Sequence, residues 1–380
     1  MIGRPPGPSR SGPPSAGRHD HPNPHTRTRP PKPTHRIQIP EPGPTESVRA
    51  IQGATALDAI VARQHKPTLE HTDAPTLAPG QALVRVRLAG EVPAAAVRSA
   101  RLGPDGTVLG RDLVGVVVDV ADDAPQGVRD RLLRARVVCS PFVACGQCDM
   151  CRSGVSQHCR EGGVMGSAGL AGSLAQTIAV PWRNLAPVPD GLDDQAALLA
   201  GPLARAVHAA RMIRMEGKVY VTVLGDNLAA LLAVQAIARL NATVRLLGWN
   251  PQAFGRAERW GLQHRHAHEV GRRKDQTVVV DCVASHESLD LALGMLRPRG
   301  TLILAAEPPD PLPLDLAAVV RGELELIGAS FGHVADALPL LAQGQVDTTG
   351  LVEVRTRPNE APRLLARTEL LYVAVEFAGP

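Results

Sequence analysis

Four cysteines stand in one short stretch, Cys145, Cys148, Cys151 and Cys159, spaced C-x2-C-x2-C-x7-C. Thiolates this close in sequence can converge on one Zn2+ in a closed tetrahedron, which leaves no open coordination position and so reads as a structural metal. Disulfides or a redox cluster are the alternatives the spacing leaves open. Nothing marks the chain as secreted, and a reducing compartment favours metal over bridges.

A second stretch offers an anion a seat. Val219-Tyr-Val-Thr-Val-Leu224 reads as a buried strand, and it runs through Gly225-Asp226-Asn227 into an apolar segment from Leu228 to Leu240. In a dinucleotide-binding turn, glycines permit the tight bend and the approach of backbone to pyrophosphate, and the following helix N-terminus supplies free N–H groups. Gly225 keeps the first glycine position and Ala230 is an accepted third. Asn227 stands where the second belongs, with a tolerance for positive φ and a side chain expected to point at the phosphate oxygens. The candidate cofactor residues are therefore Gly225, Asp226, Asn227 and Leu228, with Trp249 and Arg256 beyond them. Leu247-Gly-Trp-Asn-Pro251 carries no acid for ribose hydroxyls, so Arg256 tips the choice between NAD and NADP toward NADP. Arg256 reads equally well as a solvated helix residue, and Trp249 either covers an adenine or caps a loop.

The elements that must position these groups change texture along the chain. Residues 1–47, as in Arg29-Pro-Pro-Lys-Pro, hold too few apolar groups to offset the entropy of ordering and read as a disordered tail. Its histidines, His19, His21, His25 and His35, read as solvated side chains, and its basic, acid-poor character suits a transit peptide or an over-extended start equally. Short apolar runs broken by Gly and Pro follow: Ala82–Leu88 alternates as a half-buried strand, and Leu113–Val120 reads as a buried one. Near Gln195 the pattern becomes helix alternating with strand. A helix is expected over Ala196–Met212, with strands at 219–224, 243–247, 277–282, 301–305 and 324–328. Helices at 288–296 and 314–320 lie between them. Such alternation means right-handed crossovers and a doubly wound parallel sheet.

Composition narrows the partners. Eight of the 41 basic residues but only three of the 37 acidic ones fall in residues 1–49, so the remaining 33 and 34 leave the body neutral. That argues against a nucleic-acid footprint, as does an aromatic content of 2%. No apolar run reaches membrane-spanning length and no secretory core opens the chain, so the expected setting is the cytoplasm.

The cysteine stretch, preceded by Val137-Val-Cys-Ser-Pro141 and followed by Gly172-Ser-Leu-Ala-Gln176, resembles the structural-zinc lobe of the medium-chain dehydrogenase/reductase superfamily, the zinc-type alcohol and polyol dehydrogenases. The resemblance extends from about Val48 to the C-terminus. It implies an α/β chain: a GroES-like β-barrel domain over 48–189 and 336–380 with a zinc lobe at 140–162, and a Rossmann-like nucleotide-binding domain over 190–335. It also implies a small-molecule substrate and pairing of two copies through the edge of the Rossmann sheet.

The family's catalytic positions are filled differently here. Val92 stands for the Cys ligand, Arg111 for the His, Asp112 for the neighbouring Glu, Gly201 for the later Glu, and Ala94 for the hydroxyl residue that relays the alcohol proton. A catalytic zinc needs about three protein ligands and an open site, and Asp112 alone cannot supply them. The expectation is one structural zinc and no catalytic one. Cys139, His158 and His208 are the nearby residues able to substitute, with plainer readings as a buried thiol, a lobe-surface residue and part of the linking helix. Arg111 and Asp112 are the catalytic candidates, Arg111 stabilising negative charge on an oxygen as zinc-independent members do. An ion pair between Arg111 and Glu91 explains the arginine as well. The functional choice lies between an NAD(P)(H)-dependent oxidoreductase, acting on a small carbonyl, alcohol or conjugated acceptor, and a non-catalytic descendant that binds nucleotide or a partner.

Overall fold

The computed structural model describes residues 57–167, 170–308 and 310–377. The Pro/Arg-rich stretch 1–47 and its histidines lie outside these. The strands, in chain order, are β1 (Leu57–Arg63), β2 (Lys66–Thr72), β3 (Gln81–Glu91), β4 (Asp112–Val120), β5 (Arg136–Cys139), β6 (Phe142–Val143), β7 (Gly163–Val164), β8 (Thr177–Pro181) and β9 (Leu185–Pro187). β10 (Val219–Leu224), β11 (Ala242–Gly248), β12 (Gln263–His266), β13 (Gln276–Asp281), β14 (Leu296–Leu304) and β15 (Glu325–Gly328) follow, then β16 (Val354–Thr356) and β17 (Val373–Glu376).

β3 is the spine of the first sheet, ordered β16-β17-β3-β4-β5-β9 with β8 also paired to β3. Its alternating residues bury Ala82, Val84 and Val86 in one apolar cluster with Val117, Val137 and Ile178, as a half-buried strand should. Because β16 and β17 come from the end of the chain, the C-terminus closes this sheet. Register then decides what meets at its end: Gly90 lies opposite Asp112 on β4 and opposite Ala374 on β17, and Glu91 lies opposite Val373.

The second sheet is parallel throughout, ordered β12-β11-β10-β13-β14-β15. The strand order reverses between β10 and β13, so the turns leaving these two strands flank the crevice where doubly wound sheets take their ligands. The helix joining the sheets runs Ala200–Arg211, and its Ala200, Leu203 and Ala204 share a core with Val114, Val138, Val221 and Val223 from both sheets.

Two expectations change. The single helix expected over 196–212 is two, Asp194–Leu198 and Ala200–Arg211, because Pro202 has no N–H to return to Leu198 and the helix restarts one residue later. Strand β12 was not anticipated, and the helix at Pro251–Arg259 was foreseen only as the alternative reading of Arg256. Among the described residues no helix is long and apolar enough to cross a membrane.

Candidate functional site

The four cysteines meet. Cys145, Cys148, Cys151 and Cys159 hold their sulfurs within 4.8 Å of one another, with Sγ–Sγ separations of 3.5 Å for Cys148–Cys151, 3.8 Å for Cys148–Cys159 and 4.0 Å for Cys145–Cys151. A tetrahedron with Zn–S bonds of about 2.3 Å has edges of about 3.8 Å, whereas a disulfide needs about 2.05 Å; none of the six cysteines is bridged. The donor set therefore fits zinc. The hairpin β6–β7 closes the base of the lobe, and Arg160 grips Asp149 through two bonds of 2.8 Å across it. The N–H groups of Cys145 and Cys148 point at the sulfurs of Cys159 and Cys145, orienting the ligands as outer-shell donors do. Backbone N–H groups of Cys151 and Arg160 hold the Cys148 thiol down to about 6, while burial and the neighbouring Cys148 push Cys151 up to about 12.

The turn after β10 is built around Gly225, whose φ is +130°. A Cβ there would lie 3.0 Å from Ala230 Cβ, 3.2 Å from Val283 Cγ2 and 3.5 Å from Cys282 Cβ, so the backbone can make this bend against β13 only without a side chain. Asn227 does not take the positive φ expected of it. At φ −85° it caps the next helix, accepting from Ala230 N–H at 3.0 Å and donating to the Cys282 carbonyl at 2.7 Å. Its amide is thus turned into the turn rather than toward phosphate oxygens. The N–H groups of Leu228 and Ala229, in the first turn, have no protein acceptor among the described residues, and they with Gly225 fit a pyrophosphate.

The adenosine side departs further from expectation. Asp226 Oδ2 accepts from the N–H groups of Trp249 (2.7 Å) and Asn250 (2.6 Å), tying the first turn to the end of β11. Trp249 donates its indole N–H to Glu287 at 2.9 Å, and His268 meets the same carboxylate at 2.8 Å. Arg256 donates to the Gly350 carbonyl at 3.3 Å, and Trp260, one turn along the same helix, reaches Asp347. Both therefore face the 347–350 loop, which removes the reason for preferring NADP and supports the structural reading of Arg256.

At the end of β3 the positions read as lost zinc ligands hold a buried charged cluster. Asp112 Oδ2 accepts from the Tyr372 hydroxyl at 2.9 Å. Glu91 accepts from Val92 N–H at 2.9 Å and lies 3.8 Å from Arg111 Nε. Two glycines make room: a Cβ on Gly90 would sit 2.2 Å from the Tyr372 hydroxyl oxygen, and one on Gly201 would sit 2.0 Å from Asp112 Oδ1. The space left by the family's later Glu is thus taken by the Asp112 carboxyl. Val92 and Gly201 bring no ligating atom and Arg111 brings a cation, so the residues present do not fit a catalytic zinc. Cys139 is buried, its thiol pushed up by burial and against Ser140 O and Met165 Sδ; His158 is exposed and His208 half-buried on the linking helix.

Arg205 was missed in the sequence. It lies one turn after Gly201 on the linking helix, on the face that meets Asp112, and its guanidinium stands 5.5 Å over the Phe331 ring. That spacing from Gly201 was the available signal.

Burial, and then the charge of Glu91, push Asp112 up to about 7 against the pull of Tyr372, Arg111 and Arg205. The folded chain thus holds a proton that the unfolded chain releases at the ordinary 3.8. Raising the pH from there through about 7 works against folding, and Glu91, also raised by burial, adds in the same direction. Asp112→Asn is expected to flatten this loss, worth on the order of a few kcal/mol. Urea midpoints measured across the range check it, and an unchanged slope in the variant would mean that Asp112 is ionised in the fold.

Comparison with known proteins agrees with this architecture. The alcohol dehydrogenase GroES-like domain family matches residues 78–190. An uncharacterized zinc-type alcohol dehydrogenase-like protein of Haemophilus influenzae is 26% identical over 271 residues, 68% of this chain and 78% of its own. The alcohol dehydrogenase TADH from Thermus sp. ATN1 superposes with a TM-score of 0.73 at 27% identity, covering 84% of this chain and 99% of its own. Acetophenone reductase from Geotrichum candidum, solved in complex with NAD, gives 0.73 at 20% identity over 85% and 98%. The chain carries an alcohol dehydrogenase GroES-like domain followed by a Rossmann-like domain, and it is similar in sequence and fold to medium-chain dehydrogenases/reductases.

Proposed function

We propose that the protein is an NAD(P)(H)-dependent oxidoreductase acting on a small carbonyl, alcohol or conjugated acceptor, with the catalytic-zinc site replaced by the Glu91–Arg111–Asp112–Arg205–Tyr372 cluster. The supporting observation is adjacency. Asn227 in the nucleotide turn bonds the Cys282 carbonyl, Arg205 lies close enough to Cys282 to act on its thiol, and Arg205 shares the cluster with Arg111 and Asp112. Nucleotide turn and charged cluster thus lie close to each other, on either side of Cys282. When bound, a nicotinamide supplies or accepts the hydride. The chain's part is to bind and orient through Gly225, Leu228 and Ala229, and to stabilise negative charge on a substrate oxygen with the Arg111 cation. Asp112, buried under Arg111 and fixed by Tyr372, sets how much net positive charge Arg111 presents.

The domain division follows: 48–189 with 336–380 for the GroES-like part and 190–335 for the Rossmann-like part. The four unbridged thiols suit a reducing cytoplasm. Leu316 and Val320, 65% and 75% exposed on one face of a helix that precedes edge strand β15, suit pairing of two copies there.

One set of contacts favours the non-catalytic reading. Asn227 occupies an N–H that pyrophosphate would use, and Trp249 is held by Glu287 beside the turn. Titration with NADH and NADPH, followed by melting temperature, tests the nucleotide binding that the oxidoreductase requires. Saturating nucleotide should raise the melting point by several degrees, as about 100-fold excess over Kd stabilises by about 2.7 kcal/mol. No shift with either at millimolar concentration rejects the oxidoreductase in favour of a binding protein.

A further inference from the structure

Several arginines of this protein are paired. Arg63 meets Glu70, Arg87 and Arg136 share Asp194, Arg160 holds Asp149, and Arg214 meets Glu325. Arg111, whose nearest carboxylate oxygen lies 3.8 Å away on Glu91, and Arg205 are more enclosed and more loosely held. Among the described residues neither guanidinium donates a hydrogen bond to a protein acceptor, and the buried Nε of Arg111 has no partner. Each guanidinium carries five N–H donors, and a buried donor left unmade, as Arg111 Nε is, is costly enough to need a reason.

The carboxylates beside them do not supply it. Glu91 comes no nearer than 3.8 Å to Arg111 and spends an oxygen on Val92 N–H, while Asp112 accepts from Tyr372. The two cations are close enough to repel each other; Asp112 and Glu91 offset this for Arg205 without a hydrogen bond, and its guanidinium stands over the Phe331 ring. Guanidinium forks match the geometry of an oxyanion, bidentate where it is planar or tetrahedral. One arginine would suffice to steady charge that develops on a reacting oxygen. Two with open donors call for a group that is already charged.

We infer that Arg111 and Arg205 together seat a carboxylate or phosphate carried by the substrate, with Arg205 as the residue that selects for it. The inference rests on the proposed reading of the cluster as a substrate site, and it narrows the substrate to an anion. Arg205 comes from the helix linking the domains and Arg111 from the end of the first sheet, so an anion gripped by both lies beside the nucleotide turn.

The test uses the whole chain without nucleotide, in low-salt buffer, with crotonate, inorganic phosphate and the neutral control crotonamide. One of the two anions should raise the melting temperature by about 2–4 °C at several-fold excess over its Kd, crotonamide should not, and which anion acts identifies the group. Arg205→Met should weaken that anion at least about tenfold, the loss of one charge-assisted bond, and Arg205→Lys should recover part of it. Circular dichroism shows that the variants are folded. Equal shifts from crotonate and crotonamide, no shift from either anion, or a shift undiminished in Arg205→Met would each overturn the seat. An anion shift without any nucleotide shift would leave the seat standing and reject the oxidoreductase; the reverse result would reject the seat alone.

Discussion

Replacing Cys148 with serine is expected to release the metal and unfold the 140–162 lobe. The sulfurs of Cys145, Cys151 and Cys159 would remain, but a tetrahedral site missing one thiolate loses charge and closure together. Little else holds this segment. Its helical pieces are a four-residue turn at Asp149–Arg152 and a three-residue turn at Ser156–His158, and neither contributes a buried residue. Metal binding therefore stands in for a core here, as in small zinc domains where it supplies about 10–16 kcal/mol of folding free energy. In a lobe docked on a larger protein a cost of several kcal/mol is expected, read as a lowered melting temperature and as proteolysis within 144–161. Cys139→Ser is the control. Its thiol lies in the apolar cluster of the first sheet and not among the four, so zinc content should be unchanged. A Cys148→Ser protein that keeps its zinc and resists protease would refute the tetrathiolate reading.

Gly201→Ala is expected to cost about 1–3 kcal/mol and to abolish whatever the cluster does. The added Cβ would meet Asp112 Oδ1 at 2.0 Å and its Cγ at 3.1 Å. Asp112 cannot swing aside without giving up the hydroxyl of Tyr372, and that ring is 0% exposed and already packed over Gly90. Asp112→Ala alone leaves the Tyr372 hydroxyl buried without its acceptor, about 1–3 kcal/mol. Together the two changes should cost less than their separate sum, by about 1 kcal/mol or more, since each removes the other's conflict. Denaturant midpoints of the four proteins measure this coupling. Strict additivity would show that Gly201 is not small on account of Asp112.

The fold was legible where physical periodicity is strong. The buried parallel strands at β10 and β13 are continuous apolar runs, and the cysteine spacing could be drawn from sequence because its ligands are local. β12 could not: Gln263-His-Arg-His266 is polar and only half-buried, so no alternation marks it. The helix at 251–259 buries only Ala253 and Ala257, and its Asn250 cap was a signal left unread. Asn227 is similar. Its place one residue before an apolar helix is a cap position, and reading it as a replaced glycine misjudged its backbone. The cluster was half legible. Val92, Arg111, Asp112 and Gly201 stood out as substitutions of expected ligands, and Glu91 as a partner for Arg111. What replaced them could not be seen, because Tyr372 joins Asp112 from 260 residues away and a glycine's reason lies in neighbours that sequence does not list.

Zinc content per chain, determined by elemental analysis on the purified protein and on Cys148→Ser, tests the central claim that a shape-holding metal persists while charged side chains fill the place of a reactive one. About one zinc in the parent protein and essentially none in the variant is the expected result. About two in the parent, with one surviving in Cys148→Ser, would contradict it.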